Sequence, residues 1–318
     1  MRVGFVYNLR RADAEDDAEF DDPETIQAIS DAIAANGHEV IGLEADRTLP
    51  TALTAAEVDV VFNMAEGKGQ RSREAQVPAL LELLCIPYTG SDAVTLGITL
   101  DKSLASSLVS ARGVATPRGF VTRSTDDRVP SDFPFPAIVK PVHEGSSKGI
   151  SSESVVYDEA GLRRQASLIA KRYAQPAICE EYVAGREITV GLLGSPARVL
   201  PPMEVVFLEG GEHPLYSFEV KKRWEEFVRY DVPAPLTPEE LSAIEHASLT
   251  AFEALGCRDV ARLDFRLDGE GTPYFLECNP LPGLGPGVGD LTIITDAAGL
   301  SFDELIGEIL AGALGRLG

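Results

Sequence analysis

Two hydrophobic periods alternate along the first hundred residues. Val3–Tyr7 is an apolar run of strand length, and Pro23–Ala35 spaces its apolar residues as a helix that stops at Asn36-Gly37. His38–Leu43 and Val58–Phe62 read as further strands, and Glu74–Leu84 as another helix. This strand–helix rhythm predicts a doubly wound α/β unit over residues 1–98. Asp101 is placed to cap a helix running through Leu108, with Arg112-Gly113 near its end.

A second unit is expected over 99–190. Ala137–Lys140 is a strand stopped by Pro141, Val142–Gly149 a polar loop, Glu159–Arg172 a helix, and Ala177–Val183 and Glu187–Leu193 strands. The third unit, 191–318, holds a charge-rich stretch (210–230), a helix over Pro238–Leu255, and two alternating runs, Val260–Leu267 and Pro273–Asn279, joined by the turn Asp268-Gly269-Glu270-Gly271. A Gly/Pro-rich loop (280–289) leads to a terminal helix with the apolar stripe Phe302, Leu305, Ile306, Ile309 and Leu310.

Composition narrows the class. The 318 residues, 44% hydrophobic, suffice for two or three cores. No run approaches the length of a membrane span, and the N-terminus reads as a strand, so a cytoplasmic protein without membrane contact is expected. Cys85, Cys179, Cys257 and Cys278 are widely spaced, as buried reduced thiols would be. A net charge of −22 argues against nucleic-acid binding. Much of that charge is local, with eight acids among the twelve residues 13–24, which reads as a mobile solvated loop. Lysine is scarce, seven against 21 arginines, so Lys102, Lys140 and Lys221 are candidates for binding a polyanion.

The chemistry is concentrated in a few segments. In the predicted hairpin, alternation puts Glu277 and Asn279 on one face with Asp264 opposite. Three oxygen donors converging there suit Mg²⁺. The strand ending at Lys140 delivers a loop with Gly145, Ser146, Ser147 and Gly149, whose small residues let backbone N–H groups approach an anion, while Lys148 adds charge. Its glycine spacing is not that of a Walker A motif. Acceptors at the end of the strand Ile178–Val183, with Glu187 beyond, are suited to an adenine edge and ribose hydroxyls. The four histidines show no metal spacing, and His143 reads as a solvent-facing turn residue.

In this order the motifs resemble the ATP-grasp enzymes and, among them, the D-alanine–D-alanine ligases. The resemblance rests on Ile86-Pro-Tyr-Thr-Gly-Ser91 before Asp101-Lys102, on Ile138-Val-Lys-Pro141 with Glu144-Gly-Ser-Ser147, on Arg262-Leu-Asp264, and on Glu277-Cys-Asn279 with Pro282-Gly283. It implies an α/β chain (α+β in the ATP-binding part) with the three-domain ATP-grasp fold. It also implies an ADP-forming ligase that makes a C–N bond through an acyl phosphate. By resemblance, Lys102, Lys140, Glu144, Ser146 and Ser147 contact ATP phosphates, and Glu180, Glu181, Tyr182, Val183 and Glu187 hold adenosine. Asp264, Glu277 and Asn279 bind two Mg²⁺ ions, for which Mn²⁺ can substitute. Arg262 and Gly283 stabilise the oxyanion, Ser146 closes over the phosphates, and Lys221 neutralises phosphate from a mobile loop. The resemblance further implies a homodimer and small amino-acid-like substrates.

The amino-acid side of the site departs from that family. The Gly-Gly stretch after the first strand is Tyr7-Asn-Leu-Arg-Arg11, leaving Asp22 or Glu24 to hold an ammonium. The family's His-Gly pair is Glu66-Gly67, and Gln70-Arg-Ser-Arg-Glu74 replaces its acidic run. Glu66, Arg71 and Arg73 are therefore either recognition groups for a different charged substrate or a surface salt-bridge cluster. The family's loop tyrosine is Lys222, and its serine-bearing stretch is Leu284-Gly-Pro-Gly-Val-Gly289, in which Val288 offers no side-chain donor to a carboxylate. The expected activity is thus a ligase with altered specificity. The alternatives are an authentic D-alanine–D-alanine ligase, a ligase of specialised metabolism, and a nucleotide-binding regulatory protein without turnover.

Overall fold

The fold is described from a computed structural model over residues 1–12, 17–69, 71–124, 127–208, 213–217, 219–220 and 223–316. Strand β1 (Arg2–Tyr7) is buried along most of its length and lies between β2 (Glu39–Glu44) and β3 (Val60–Asn63), parallel to both. A parallel strand in this position needs cover on both faces. One face packs Val3 and Phe5 against Ile29 and Ile33 of the helix Pro23–Ala35, and the other packs Val6 and Val61 against Leu49, Leu53 and Leu81. The helix Pro23–Ala35 starts where Asp22 accepts from the Thr25 N–H at 2.7 Å. The terminal helix, Phe302–Gly315, carries the expected stripe, but buries it on the face of Val3, Phe5 and Phe62, far upstream in the chain.

The second sheet is antiparallel, in the order β4 (Gly119–Thr122), β7 (Ala177–Glu181), β5 (Ala137–Pro141), β6 (Val155–Val156). The helix Glu159–Tyr173 covers it with Leu162, Ala166 and Ile169. The third sheet runs β11 (Val228–Asp231), β10 (Met203–Phe207), β8 (Arg186–Leu193), β12 (Val260–Leu267), β13 (Pro273–Asn279), with β9 (Arg198–Val199) on β8. Its cover is the helix Pro238–Leu255, which begins in a Thr237/Glu240 capping box and ends at Gly256 in the left-handed conformation. That helix buries Ile244, Phe252 and Leu255, each worth about 1.5–3 kcal/mol.

The chain crosses from the second sheet to the third at 182–185, so the expected divide at 190 falls inside β8, which pairs wholly within the third sheet. The crossing requires glycine: Gly185 has φ +151°, and a Cβ there would lie 2.0 Å from the Leu267 carbonyl oxygen. Three short helices, Leu49–Ala56, Ala93–Thr99 and Asp290–Ala297, were not expected; two turns leave too little periodicity to read. Cys85 is exposed, a correction to the expectation of four buried thiols, because it lies just beyond the end of the helix Gln76–Leu83 rather than in a core. Among the described residues no helix is long and apolar enough to cross a membrane.

Asp259 ties distant segments together. It is fully buried, accepts from the Gly90 N–H at 2.8 Å, and pairs with both terminal nitrogens of Arg316, which also donates to the Tyr88 carbonyl at 2.8 Å. Substituting Asp259→Ala leaves a buried N–H and a guanidinium without their acceptor. The expected loss is about 3 kcal/mol of unfolding free energy, read from the urea midpoint. An unchanged midpoint would show that this tie is dispensable.

Candidate active site

The β12–β13 register sets Asp264 opposite Glu277 and Arg262 opposite Asn279, with a bulge following at Asp264/Phe265. Directly opposed residues share a face, so all four side chains meet on one side of the sheet. Thr189, opposite Asp264 on β8, donates to its Oδ1 at 3.0 Å. Arg262 lies 2.9 Å from Asp264 Oδ2, 2.9 Å from Asp290 Oδ2 and 3.7 Å from Glu277 Oε1. Lys102 approaches Glu277 Oε2 at 3.4 Å.

The two opposed carboxyls are driven apart in acidity. Burial favours the neutral form of Glu277, yet Lys102, Arg262 and Lys140 together hold it far below the usual carboxylate range. Burial pushes Asp264 up, and Arg262 does not fully offset burial plus the charges of Glu277 and Asp290. The donor chemistry fits a hard divalent cation. Asp264 and Glu277 supply carboxylate oxygens, and Asn279 spends its Nδ2 on Glu277 at 3.3 Å, leaving Oδ1 for a metal. Among the described residues no three of His, Cys, Asp and Glu converge as a ligand set, so the third donor would be this amide.

Facing the hairpin is the loop after β5. Ser146 and Ser147 have φ +47° and +56°, and Gly149 φ +75°, a run of left-handed turns that curls the backbone. Ser147 Oγ donates to the Tyr216 carbonyl at 2.8 Å, and Lys102 Nζ donates to the Glu144 carbonyl. Glu144 pairs with Lys148 at 2.7 Å. A cavity of about 100 Å³ between loop and hairpin is lined by Lys102, Lys140, Ser146, Ser147, Glu187 and Asp264. A larger one of about 510 Å³ shares Lys102, Ser146, Arg262 and Glu277 with it and adds Asn279 and Gly283. Val288, on the rim of the larger cavity, is 64% exposed.

Of the residues expected to hold adenosine, Glu187 lines the smaller cavity, 3.0 Å from Arg266. Glu180 instead forms a buried pair with Lys140 at 2.7 Å, Glu181 accepts from the Arg118 N–H at 2.9 Å, and the Tyr182 hydroxyl donates to the Pro214 carbonyl at 2.9 Å. Val183 is half-buried beside them. Lys221, expected to neutralise phosphate, lies outside the described residues, as does Lys222.

The acidic N-terminal segment is not simply a solvated loop. Glu19 is buried, accepts from the Gly145 N–H at 3.0 Å, and lies 2.7 Å from Arg73 and 2.6 Å from Lys148. Arg73 also donates to the His143 carbonyl at 2.6 Å, so it is an interior strut rather than a substrate contact. Arg71 is largely exposed, 3.4 Å from Asp101, and lines neither cavity. Glu24 is exposed on the first turn of its helix and also lines neither, because the capping residue Asp22 turns the helix so that Asp22 and Thr25 face inward. His143 is buried, with Nε2 3.1 Å from Asp101 and its N–H on Gln175, where a solvent-facing position had been expected. The larger cavity is also lined by Asp21, Glu66 and Glu74. Burial pushes Asp21 and Glu74 up to about 7 and Glu66 well above the usual range.

No sequence signal singles out Glu19 among eight neighbouring acids. Burial opposes its ionisation, but Arg73 and Lys148 outweigh burial and hold its carboxyl below the ordinary range. Its contribution to stability is therefore fully present above the unfolded value of about 4.3 and is lost as pH falls through the lower folded value. The stability gap between the wild type and Glu19→Gln, measured by urea unfolding, should stay constant from about pH 8 to 5 and narrow below about pH 4. A gap that widens on acidification would contradict the pairing.

A family model described as D-ala D-ala ligase C-terminus matches residues 116–311. The uncharacterized protein y4sG of Sinorhizobium fredii is 37% identical over 301 residues, spanning 89% of this chain and 86% of that protein. The D-alanine–D-alanine ligase of Syntrophotalea carbinolica is 36% identical over 295 residues, spanning 91% and 90%. The crystal structure of the Bacillus anthracis D-alanine–D-alanine ligase complexed with ATP has a TM-score of 0.77 at 23% identity, over 99% of this chain and 98% of that one, a likeness of fold. The VanG D-Ala:D-Ser ligase of Enterococcus faecalis gives 0.76 at 20% identity, over 98% of both chains. The chain therefore belongs to the D-alanine–D-alanine ligase family and is an ATP-grasp protein of the ATP-dependent, ADP-forming ligase class.

Proposed function

We propose that this protein joins two small amino-acid-like substrates through an acyl phosphate, with a specificity other than D-alanyl-D-alanine. The γ-phosphoryl group of ATP passes to a carboxylate oxygen of the first substrate and ADP is released. The amine of the second substrate then attacks the acyl carbon, the C–N bond forms, and phosphate leaves with loss of the amine proton. In this reading Asp264, Glu277 and Asn279 hold Mg²⁺, which would neutralise phosphate oxygens and fix their geometry. Lys102, Lys140, Ser146 and Ser147 bind phosphates, Glu187 with the 180–183 strand end holds adenosine, and Lys221 adds charge.

Bringing ATP to a carboxylate requires neutralising both anions. The observation that carries the reading is the half-buried Asp264–Glu277 pair beside Arg262 and Lys102: all four line the smaller cavity with the serine loop, and Glu277, Arg262 and Lys102 line the larger one with Ser146. Arg262 stays charged at any working pH and, with the Gly283 backbone, is suited to the developing oxyanion. Altered specificity is supported by the larger cavity. Glu66 lines it, and Val288 and Asp290 give a second substrate's carboxylate no side-chain cation or hydroxyl. A binding-only regulatory protein would have no use for the oxyanion donor.

The test is ADP release from Mg²⁺-ATP against pairs of D- and L-amino acids. D-alanine alone is expected to support little or no saturable release, and robust D-alanine-dependent release would restore the authentic D-alanine–D-alanine ligase. With a productive pair, Arg262→Ala is expected to lower kcat by about 10²–10³ while ATP binding persists. Undiminished turnover would remove Arg262 from the chemistry.

A further inference from the structure

We infer that the carboxylate-donating substrate bears a second positive charge on its side chain, received by Glu66, Glu74 and Asp21 on the wall of the larger cavity. The inference rests on the ligase reading above and names the substrate class of that same site.

The wall is rigidly built. Glu66 precedes Gly67, whose φ is +72° and whose Cβ would lie 2.0 Å from the Arg73 carbonyl oxygen. The Gly67 N–H donates to the buried Asn8 side chain at 2.9 Å. The turn carrying Glu66 is thereby pressed against the segment that carries Glu74, whose carboxyl adds to burial in raising the proton affinity of Glu66. Asp21 joins from the segment before the helix Pro23–Ala35.

The charge on this wall is only partly met by the protein: Arg73 acts on Glu66 and Arg10 on Asp21 without bonding to them. Neither Glu66 nor Asp21 makes a side-chain hydrogen bond or ion pair among the described residues. Glu74 is 8% exposed; among the described residues its one ion pair is with Arg73 at 3.6 Å, while Lys102 and Lys148 act on it from farther away. Arg73 is already committed to Glu19 and the His143 carbonyl, Lys148 to Glu19 and Glu144, and Lys102 to Glu277 and the Glu144 carbonyl. Arg10, at the cavity mouth, is exposed and donates to the Phe20 carbonyl at 2.9 Å. A buried carboxylate without a partner either takes up a proton or gains a cation. Burial raises the proton affinities of Glu66, Asp21 and Glu74, and a cation beside them would lower those affinities. An α-ammonium brings one positive charge against three carboxyls. A cavity of about 510 Å³ has room for a longer chain ending in an amine.

The test compares lysine with norleucine, which has the same carbon chain without the terminal ammonium. ADP release by the full chain with Mg²⁺-ATP is followed for both enantiomers of each, alone and with D- or L-alanine as second substrate. Lysine is expected to show a KM at least about tenfold below that of norleucine. In Glu66→Gln and in Asp21→Asn, residues whose side chains hold no structural bond, the ratio should fall toward one through KM rather than kcat. A KM for norleucine equal to or below that of lysine, or a ratio untouched by both substitutions, would overturn the inference and leave the ligase reading standing. The absence of ADP release with every amino-acid pair would instead overturn the ligase reading. Calorimetric binding of lysine against norleucine then decides the charge preference by itself.

Discussion

Two carboxylates held face to face in the β12–β13 ribbon are the constraint around which the site is organised. Asp264 and Glu277 repel one another across the strands, and such a pair persists only where cations surround it. Here the cations come from three places in the chain: Lys102 from the start of its helix, Lys140 from the end of β5, and Arg262 from β12 itself. The same neutralisation is what phosphoryl transfer to a carboxylate demands. The arrangement therefore serves fold and chemistry together, and it fixes where the serine loop and the hairpin must meet.

A second set of ion pairs extends the site toward the first sheet. Glu19, Arg73, Lys148 and Glu144 link the acidic N-terminal segment to the loop after β5, and Asp259 with Arg316 links the third sheet to Gly90 and Tyr88. The first set and Asp259 are well shielded from water, where the loss of one partner is costly, while Arg316 reaches Asp259 from the surface. They bring the wall that carries Glu66 and Glu74 to the cavity shared with Arg262. In the proposed reading, substrate selectivity and catalysis draw on segments that the sequence keeps far apart.

Most strands and long helices were legible because each repeats its own period. The hairpin alternates, the helices Pro23–Ala35 and Pro238–Leu255 carry caps and stripes, and the loop after Lys140 is marked by small residues. What stayed hidden depends on long-range packing. The terminal helix displays its stripe but not that Phe5 and Phe62 receive it. Glu19 looks like its neighbours, and only the bare backbone of Gly145, where a Cβ would lie 2.3 Å from Glu19 Oε1, selects it. His143 sits in a polar loop, yet the Asp101 cap and Gln175 draw it inside. Arg73 and Arg71 are indistinguishable in sequence, and the fold buries one and leaves the other in water.

The central claim concerns where a nucleotide and its metal sit. A crystal structure of the full chain with Mg²⁺ and a non-hydrolysable ATP analogue tests it directly. The account predicts the triphosphate between Ser146–Ser147 and the hairpin, with metal density bridged by Asp264, Glu277 and Asn279. A nucleotide bound elsewhere, or those three side chains still engaged only with one another, Thr189, Arg262 and Lys102 beside a metal-free triphosphate, would contradict it.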